Sequence, residues 1–520
     1  MNNLQFIKKL YNGKNCYADS LTEEEVELLH IPSGVESIVM EMVMQNRIIF
    51  LTGNPGDGKT YIIRALESKL ASRHIYLQKD MNSVTDADLA SIINHISDCF
   101  HNNKGCVIAA NEFPFFKLIR ASKTVDLALF NELISTKRNV IMYGYPAIDL
   151  KRICIIDLNE RNLLDKDRSI VSAIIEKFVT LLDASKGINK VLDYNIAAFQ
   201  HEQVKSQFLR LFSLAAMSGE HFAMRDILGS IAFTLVSCTF DSDDPVGYYY
   251  DALFSGENDL MTIISSFDPV LLSIPSLDEQ LWNGEILDGW LLGVPEKWPY
   301  EITEDSVEAA NELFKAVKRR FYFENIYAKK LSSLQPTDYL ECEHIFTSIK
   351  NTLDMKRTRS MIINSMNRIF LSTDEEKERL RIWTTHSYDL SREAGAAVST
   401  KCVDAGDLEL AYPEPVSWLN KMEYAPRFLV LRRKGSSTPK IELDVELLRG
   451  LIGIKNGYPA NLLSSQYEQA ISQFAQELSA SPIARDYGDG EILIANRRDG
   501  SFKKLFIEDN KYGFSDGGEY

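Results

Sequence analysis

Apolar residues in the first 185 positions fall into short uninterrupted runs, separated by stretches in which they follow helical spacing. The clearest runs occupy 47–52, 74–77, 106–110 and 153–156, and a weaker one occupies 140–143. Such runs are typical of strands that are buried on both faces of a parallel sheet. We therefore expect residues 1–185 to form an α/β core, a parallel sheet between helices. A helix-start pattern, Ser20-Leu21-Thr22-Glu23, predicts a helical segment before the first strand.

The remainder of the chain changes character twice. Strand patterns nearly vanish between 186 and 385, where helical spacing is seen at 226–236, 306–323 and 373–383. We expect this region to be a helical lid and helical domain. From 386 to 520, strand patterns return at 427–432 and 491–495, and residues 496–500 predict a hairpin turn toward Lys503, Leu505 and Ile507. The pattern predicts a small α+β C-terminal domain.

A glycine-rich loop lies between the first strand and the helix that follows it. Its sequence, Gly53-Asn54-Pro55-Gly56-Asp57-Gly58-Lys59-Thr60, fits the phosphate-binding pattern G-x-x-x-x-G-K-[ST]. Glycines let backbone N–H groups turn toward an anion at a helix N-terminus. We expect Lys59 to pair with the β and γ phosphates of ATP, Thr60 to place its hydroxyl on Mg²⁺, and the site to include Tyr61. The sequence does not distinguish ATP from GTP.

Hydrolysis requires a carboxylate that orients or deprotonates water. Glu112 follows the apolar run 106–110 and is our candidate for the general base, with Asn111 beside the metal. An alternative is Asp157 with Glu160 after the run 153–156. We favour Glu112 because fewer strands separate it from Lys59, and because Asn159 then falls where a polar γ-phosphate sensor is expected.

Three arginines could supply positive charge to the nucleotide. Arg225 begins a predicted helix just beyond the core, where a lid would contact the nucleotide. Arg161 and Arg168 could act on a neighbouring subunit's nucleotide. The alternative for each arginine is an ordinary surface or helix-capping role.

Composition limits the class of protein. Formal net charge is −16, which opposes non-specific adhesion to DNA. Any nucleic-acid contact would be local, at basic clusters such as 318–320, 356–359 or 427–434. No run is long and apolar enough to span a bilayer. The seven cysteines are scattered, which fits a reducing compartment. We expect a cytoplasmic protein that does not bind membranes.

The order of these elements resembles AAA+ ATPases over roughly residues 30–240. Several shorter segments are similar to the DptF family. These segments are 51–60, 108–112, 156–161, 224–226, 249–254, 267–269 and 318–323. The resemblance implies an ATPase subunit of a bacterial restriction system that acts on DNA lacking phosphorothioate modification. It also implies DptG- and DptH-like partners and DNA contact through the complex; self-association is left open.

Three functions remain as hypotheses. The first is an ATPase whose turnover controls a DNA-attacking assembly. The second is a nucleotide-gated scaffold with little hydrolysis, which the uncharged Asn111 would favour. The third is a P-loop kinase for a small substrate, which the large helical region disfavours. We find no nuclease motif in the sequence.

Overall fold

A computed structural model of the 520-residue chain describes residues 3–11, 21–143, 152–164, 170–237, 246–295, 306–328, 337–348, 352–370, 378–385, 396–412, 422–423, 428–460, 463–488, 490–496, 501–508 and 511–516. It divides into two compact units. The first comprises Met1–Ala216, Glu220–Gln335 and Pro415–Ala425, and the second comprises Met217–Gly219, Pro336–Glu414 and Pro426–Tyr520. The predicted boundaries at 185 and 385 stay predictions.

A four-stranded parallel sheet lies in the first unit. Its strands are β1 Ile48–Thr52, β2 Tyr76–Gln78, β3 Cys106–Ala109 and β4 Ile153–Asp157. The order is β2-β3-β1-β4, so both β3 and β4 pair with β1. All residues of β1 and β3 are buried, as their uninterrupted apolar sequences predict. Polar residues that follow β1, β3 and β4 therefore meet at one edge of the sheet.

Helices cover the two faces of this sheet. They are α3 Gly34–Met44, α4 Lys59–Ala71, α5 Asp86–His101, α6 Glu112–Val125 and α7 Leu127–Tyr143; α1 Asn3–Lys9 and α2 Glu23–Leu29 come before them in the chain. One apolar cluster joins α3 and α4 to the sheet, and another joins α5, α6 and α7 to its opposite face. The predicted helical segment is present, and its N-cap is Thr22, whose hydroxyl accepts from the Glu25 backbone amide while the Glu25 carboxylate accepts from the Thr22 backbone amide. Ser20, the first residue of the predicted pattern, lies outside the described residues.

The helical region that follows also belongs to the first unit. Its helices are α8 Ile170–Asp183, α9 Lys190–Ala198, α10 Glu202–Ala216, α11 Met224–Val236, α12 Tyr249–Ala252, α13 Asp259–Ser265, α14 Pro275–Trp282 and α15 Val307–Glu324. α11 and α15 confirm the helical patterns at 226–236 and 306–323.

The basic cluster 318–320 on α15 is not the exposed patch that its sequence suggested. Lys318 is 2% exposed and lies 2.7 Å from an Asp278 carboxylate oxygen. Arg319 forms ion pairs with Asp251 and Asp268, and Arg320 pairs with Glu324, its neighbour one helical turn away. These charges stabilise the helical region from inside instead of offering a surface to DNA.

Antiparallel strands and helices form the second unit. Its elements are α16 Thr337–Ser348, α17 Thr352–Arg368, β5 Arg379–Thr385, β6 Ala396–Asp404, β7 Leu408–Ala411, β8 Phe428–Arg433, β9 Lys440–Asp444, α18 Val445–Lys455, α19 Ser465–Ser479, β10 Arg485–Asp486, β11 Ile492–Asn496, β12 Phe502–Glu508 and β13 Lys511–Asp516. Six strands form one sheet, in which β10-β6-β11-β12-β13 are consecutive and β5 also pairs with β6; β7-β8-β9 form another.

Strand patterns predicted in the tail agree with β8 and β11, and the expected pairing of β11 with β12 is present. Residues 497–500 of the predicted hairpin turn lie outside the described residues. Two other predictions were wrong. The apolar run 140–143 ends helix α7, and residues 379–383, predicted as part of a helix, lie in strand β5.

Across the part of the chain that the structure describes, no single helix combines the length and apolar character needed to cross a bilayer. One pair bent by 81°, Asp259–Leu271 with Pro275–Trp282, meets that criterion only when its two segments are counted together.

Candidate functional site

The glycine-rich loop connects the end of β1 to the first residue of α4. Three of its residues, Gly53, Gly56 and Gly58, have positive φ angles of 135°, 97° and 88°. A Cβ at Gly53 would lie 2.6 Å from an Asp57 carboxylate oxygen, and one at Gly56 would lie 2.3 Å from the Arg225 side chain. Backbone conformation and close approach together explain these glycines. Gly58 directly precedes the helix, so the loop ends at a helix N-terminus.

Lys59 lies buried within the loop, with 7% of its surface exposed. Its Nζ donates hydrogen bonds to the backbone carbonyls of Gly53 at 2.8 Å and Asn54 at 2.6 Å. Burial lowers the pKa of this amine, and the carboxylates of Asp57, Asp157 and Asp80 oppose that shift. The ammonium group is thus held by neutral carbonyls, with acidic side chains nearby.

Asp57 connects the loop to the helical region of the same unit. One of its carboxylate oxygens accepts from the Asn54 amide at 2.6 Å, and the other lies 2.7 Å from Nε2 of His221. At the preceding position, the Gly56 carbonyl accepts from the Arg225 backbone amide at 3.3 Å. The predicted lid arginine therefore contacts the loop through its backbone, and its side chain packs against Gly56.

Glu112 and Asn111 lie at the N-terminus of α6, directly after β3. The Glu112 carboxylate is 52% exposed and forms an ion pair with Lys137 at 2.6 Å. Asn111 donates from Nδ2 to Asn82 at 3.0 Å. Among the described residues, no donor contacts the buried Oδ1 of Asn111. An acceptor oxygen without a donor is therefore present at this edge of the sheet.

Asn159, the predicted sensor, contacts the loop directly. Its side-chain Oδ1 accepts from the Asn54 backbone amide at 3.2 Å, and its own backbone amide donates to the Asp157 carboxylate at 3.0 Å. Burial raises the pKa of Asp157, and the carboxylates of Glu112 and Asp57 act in the same direction. The Asn159 amide and Lys137 oppose that increase. Since β3 and β4 both flank β1, distance along the chain does not distinguish Glu112 from the Asp157–Glu160 alternative.

The other candidate arginine on β4's side of the site is buried. Arg161 is 3% exposed, and its Nε donates to the Glu423 carboxylate at 2.8 Å. The sequence had suggested that Arg161 could act on a neighbouring subunit's nucleotide. In this conformation its guanidinium is buried and is not presented for such a contact. Arg168 lies outside the described residues.

A cavity of about 210 Å³ lies against the loop. Its lining combines polar groups with apolar side chains and Tyr61. The loop and polar residues of the lining include Gly56, Gly58, Lys59, Thr60, Asp80, Asn82 and Asn111, and its apolar or aromatic residues include Leu21, Leu29, Ile31, Tyr61, Met224 and Leu228. This arrangement provides space for a ligand with an anionic end and an apolar or aromatic end. Arg225 also lines the cavity.

Four residues of this site were not predicted from the sequence. Asp80 and Asn82 follow β2, and the rule that polar residues after a strand gather at the sheet edge could have identified them. Lys137 and His221 lie in the middle of α7 and in the connection before α11, and no local pattern marks them.

Comparison with known protein families, with curated proteins and with solved structures returned no match to this chain. The resemblance to DptF proteins therefore remains a prediction from short motifs.

Proposed function

We propose that this chain binds ATP with Mg²⁺ on the glycine-rich loop and hydrolyses it as an AAA+-like P-loop ATPase. The observation that supports this proposal most strongly is the loop itself. Three glycines with positive φ connect a buried parallel strand to a helix N-terminus, and a buried lysine lies within the connection. Backbone amides and a helix N-terminus provide partial positive charge for phosphate oxygens.

Lys59 has partners that a phosphate can replace. Its two hydrogen bonds go to neutral backbone carbonyls, whereas a phosphate oxygen would offer a charged acceptor. The lowered pKa of Lys59 indicates that burial is not fully compensated by its neighbours. A bound anion would supply that compensation. Residues 53–61 would thus hold the phosphates, and the apolar and aromatic residues of the lining would receive the nucleoside.

The residues around Thr60 fit a magnesium ion that retains most of its water. Thr60 and Asn111 both line the cavity, and the buried Oδ1 of Asn111 can accept a hydrogen bond from a metal-bound water. Within the described residues, no group of three or more His, Cys, Asp or Glu side chains could hold a metal alone. Mg²⁺ commonly relies on substrate phosphates together with one or two protein groups. Bound there, Mg²⁺ would neutralise phosphate charge.

Glu112 is the proposed general base. Its partial exposure at the edge of the sheet leaves it accessible to water, and Asn159, which contacts the loop, would sense the phosphate end of the ligand. Arg225 would supply positive charge from the helical region. Lys137 holds the Glu112 carboxylate through an ion pair at 2.6 Å, which fixes the position of this side chain.

The same ion pair supports a second candidate function. One oxygen of the Glu112 carboxylate is already occupied by Lys137, which leaves less of the group free to contact water. Asn111 adds no negative charge near the metal. Both features favour a nucleotide-gated scaffold with little turnover. ATP would then fix a conformation of the helical region against the loop through Arg225, Asp57 and His221.

The biological role is proposed from the resemblance alone. It would be the ATPase subunit of a cytoplasmic DptF-type restriction complex that defends against phage DNA lacking phosphorothioate modification. DptG- and DptH-like subunits would be its partners, and DNA contact would pass through the complex. One structural finding bears on DNA contact. The basic cluster 318–320 forms ion pairs within the chain, so it does not offer a basic surface to DNA.

The test is steady-state phosphate release from ATP by the purified chain and by Glu112→Gln, Asp157→Asn and Glu160→Gln, with and without unmodified double-stranded DNA. We expect turnover to fall on the order of a hundredfold in Glu112→Gln, with ATP affinity retained. Glu160→Gln is the matched control after β4. A wild-type chain that binds ATP without releasing phosphate would support the scaffold, and one that binds no ATP would overturn both proposals.

A further inference from the structure

A two-residue segment from far along the chain is buried beside the nucleotide site. Met422 and Glu423 belong to the first compact unit, although residues 336–414 and 426–520 on either side of their segment belong to the second. Met422 is fully buried in the apolar cluster that includes Ile49 and Leu51 of β1. Glu423 is 6% exposed, an unusual position for a carboxylate without a structural or functional partner.

Glu423 contacts two segments at once. Its Oε2 accepts from Nε of Arg161 at 2.8 Å, and its Oε1 accepts from the Gly34 amide at the start of α3 at 3.3 Å. Its backbone carbonyl accepts from the Asn162 amide at 2.6 Å. Glu423 therefore fixes both the side chain and the backbone of the turn that follows β4.

This turn holds Asn159. Residues Leu158–Glu160 form one 3-10 turn, and the Arg161 amide donates to the Leu158 carbonyl at 3.1 Å. Asn159 in turn bonds the Asn54 amide of the glycine-rich loop at 3.2 Å. A continuous set of contacts thus runs from Glu423 through Arg161 and the turn to the loop.

We propose that Glu423 is a positioning residue for the nucleotide site, which holds Asn159 against the glycine-rich loop through Arg161. The inference rests on the proposed ATP site. Removing the carboxylate leaves a buried guanidinium without its counter-charge, which is costly enough to make the turn move until Arg161 is solvated. Asn159 would then leave Asn54. The nucleotide site is therefore complete only with a residue contributed from the C-terminal third of the chain.

The test compares Glu423→Ala, Glu423→Asp and wild type in ATP binding, in kcat and in amide hydrogen exchange of the full chain without nucleotide. We expect Glu423→Ala to lower kcat and to weaken ATP binding, each on the order of tenfold, because small displacements of positioning groups are costly. Glu423→Asp retains the charge and should recover part of both. Exchange should increase at 158–162 and at Gly34 but not in β1.

Asp268→Asn is the matched control, since it removes a buried carboxylate that pairs with Arg319 and does not line the cavity. It should reduce stability while leaving kcat and ATP affinity within about twofold. Glu423→Ala behaving like Asp268→Asn in kcat, affinity and exchange would overturn the inference. If wild type binds no ATP, the proposed function fails, and exchange at 158–162 alone then decides whether Glu423 holds the turn.

Discussion

Two buried basic groups in the first unit differ in what surrounds them. Lys59 in the glycine-rich loop donates to two backbone carbonyls and lines a cavity. Arg319 on α15 donates to the carboxylates of Asp251 and Asp268, with three bonds to Asp268 alone. The local sequence around each of these two residues suggested contact with phosphate groups, of a nucleotide for Lys59 and of DNA for Arg319. Only Lys59 has partners that an anion can displace at little electrostatic cost, so partner chemistry decides which buried cation can serve as a binding site.

The largest effect is expected when Arg319 is removed. Arg319→Met leaves Asp251 and Asp268 without their counter-charge in a largely buried place, and the free energy of unfolding should fall by about 3 kcal/mol. Urea denaturation followed by circular dichroism measures this loss. Arg357→Met is the control, because Arg357 is 73% exposed and its carboxylate partner lies 3.8 Å away, so its change should stay below about 0.5 kcal/mol. Equal losses would contradict the internal role of Arg319.

Removal of Lys59 should affect binding instead of stability. Lys59→Met is expected to raise the Kd for ATP about a hundredfold, equivalent to about 2.7 kcal/mol, because a charge-assisted contact to phosphate is lost. Stability should change by less than about 1 kcal/mol, since only bonds to neutral carbonyls disappear. Isothermal titration calorimetry measures the affinity. Lys69→Met on the exposed face of the same helix removes the same charge and should leave the Kd unchanged; a similar loss there would indicate a general electrostatic effect.

Two glycines with positive φ separate backbone strain from close packing. Gly56 has φ 97° and no room for a Cβ beside Arg225, whereas Gly187 has φ 86° and no atom within 4 Å of that position. Gly187→Ala should cost about 1 kcal/mol from strain alone. Gly56→Ala should cost about 2 kcal/mol and weaken ATP binding roughly tenfold, because Arg225 must move. Thermal unfolding and ATP titration of both variants give the comparison. Identical behaviour would mean that contact between Gly56 and Arg225 has no effect.

Local sequence pattern was sufficient to predict that the glycine-rich loop connects a strand to a helix, and to predict three strands of the sheet. β1, β3 and β4 were predicted because uninterrupted apolar runs have few alternatives when glycine or polar residues bound them. The same rule failed at 140–143, where four apolar residues end a long helix, since a short run cannot distinguish a strand from the buried end of a helix. Residue types indicated which side chains could bind phosphate or act on water, but they did not indicate which other residues those side chains contact.

Pairs between distant residues could not be predicted at all. Arg161 and Glu423 are separated by 262 positions, and Asp57 and His221 by 164. Nothing in either local sequence specifies the other. The cluster 318–320 had the composition of a nucleic-acid contact, and only the fold shows that Asp251 and Asp268 neutralise Arg319. Exposure of a charge is a property of the whole fold, so sequence alone overestimated the available basic surface.

The smallest expected effect concerns Asp157, a carboxyl group of the proposed site that should lower the stability of the folded chain. Burial, together with Glu112 and Asp57, raises the pKa of Asp157 in the folded chain. A carboxyl whose pKa is raised on folding contributes most stability below its unfolded pKa and loses that contribution as the pH rises through the folded value. Above its unfolded pKa, this carboxyl therefore lowers the stability of the folded chain.

Asp157→Asn removes this charge while its side-chain oxygen can still accept from the Asn159 amide. We expect the unfolding midpoint to rise by roughly 2 °C at pH 7. The gain should disappear near pH 3, where the carboxyl is protonated in both the folded and the unfolded states. Differential scanning calorimetry at the two pH values measures both. A gain that persists at pH 3 would arise from packing instead of charge, and a loss at pH 7 would mean that Lys59 and Lys137 already stabilise the Asp157 carboxylate. In that case the Lys59 ammonium would have a charged partner at its site as Arg319 does, and the distinction between the two cations would be one of degree.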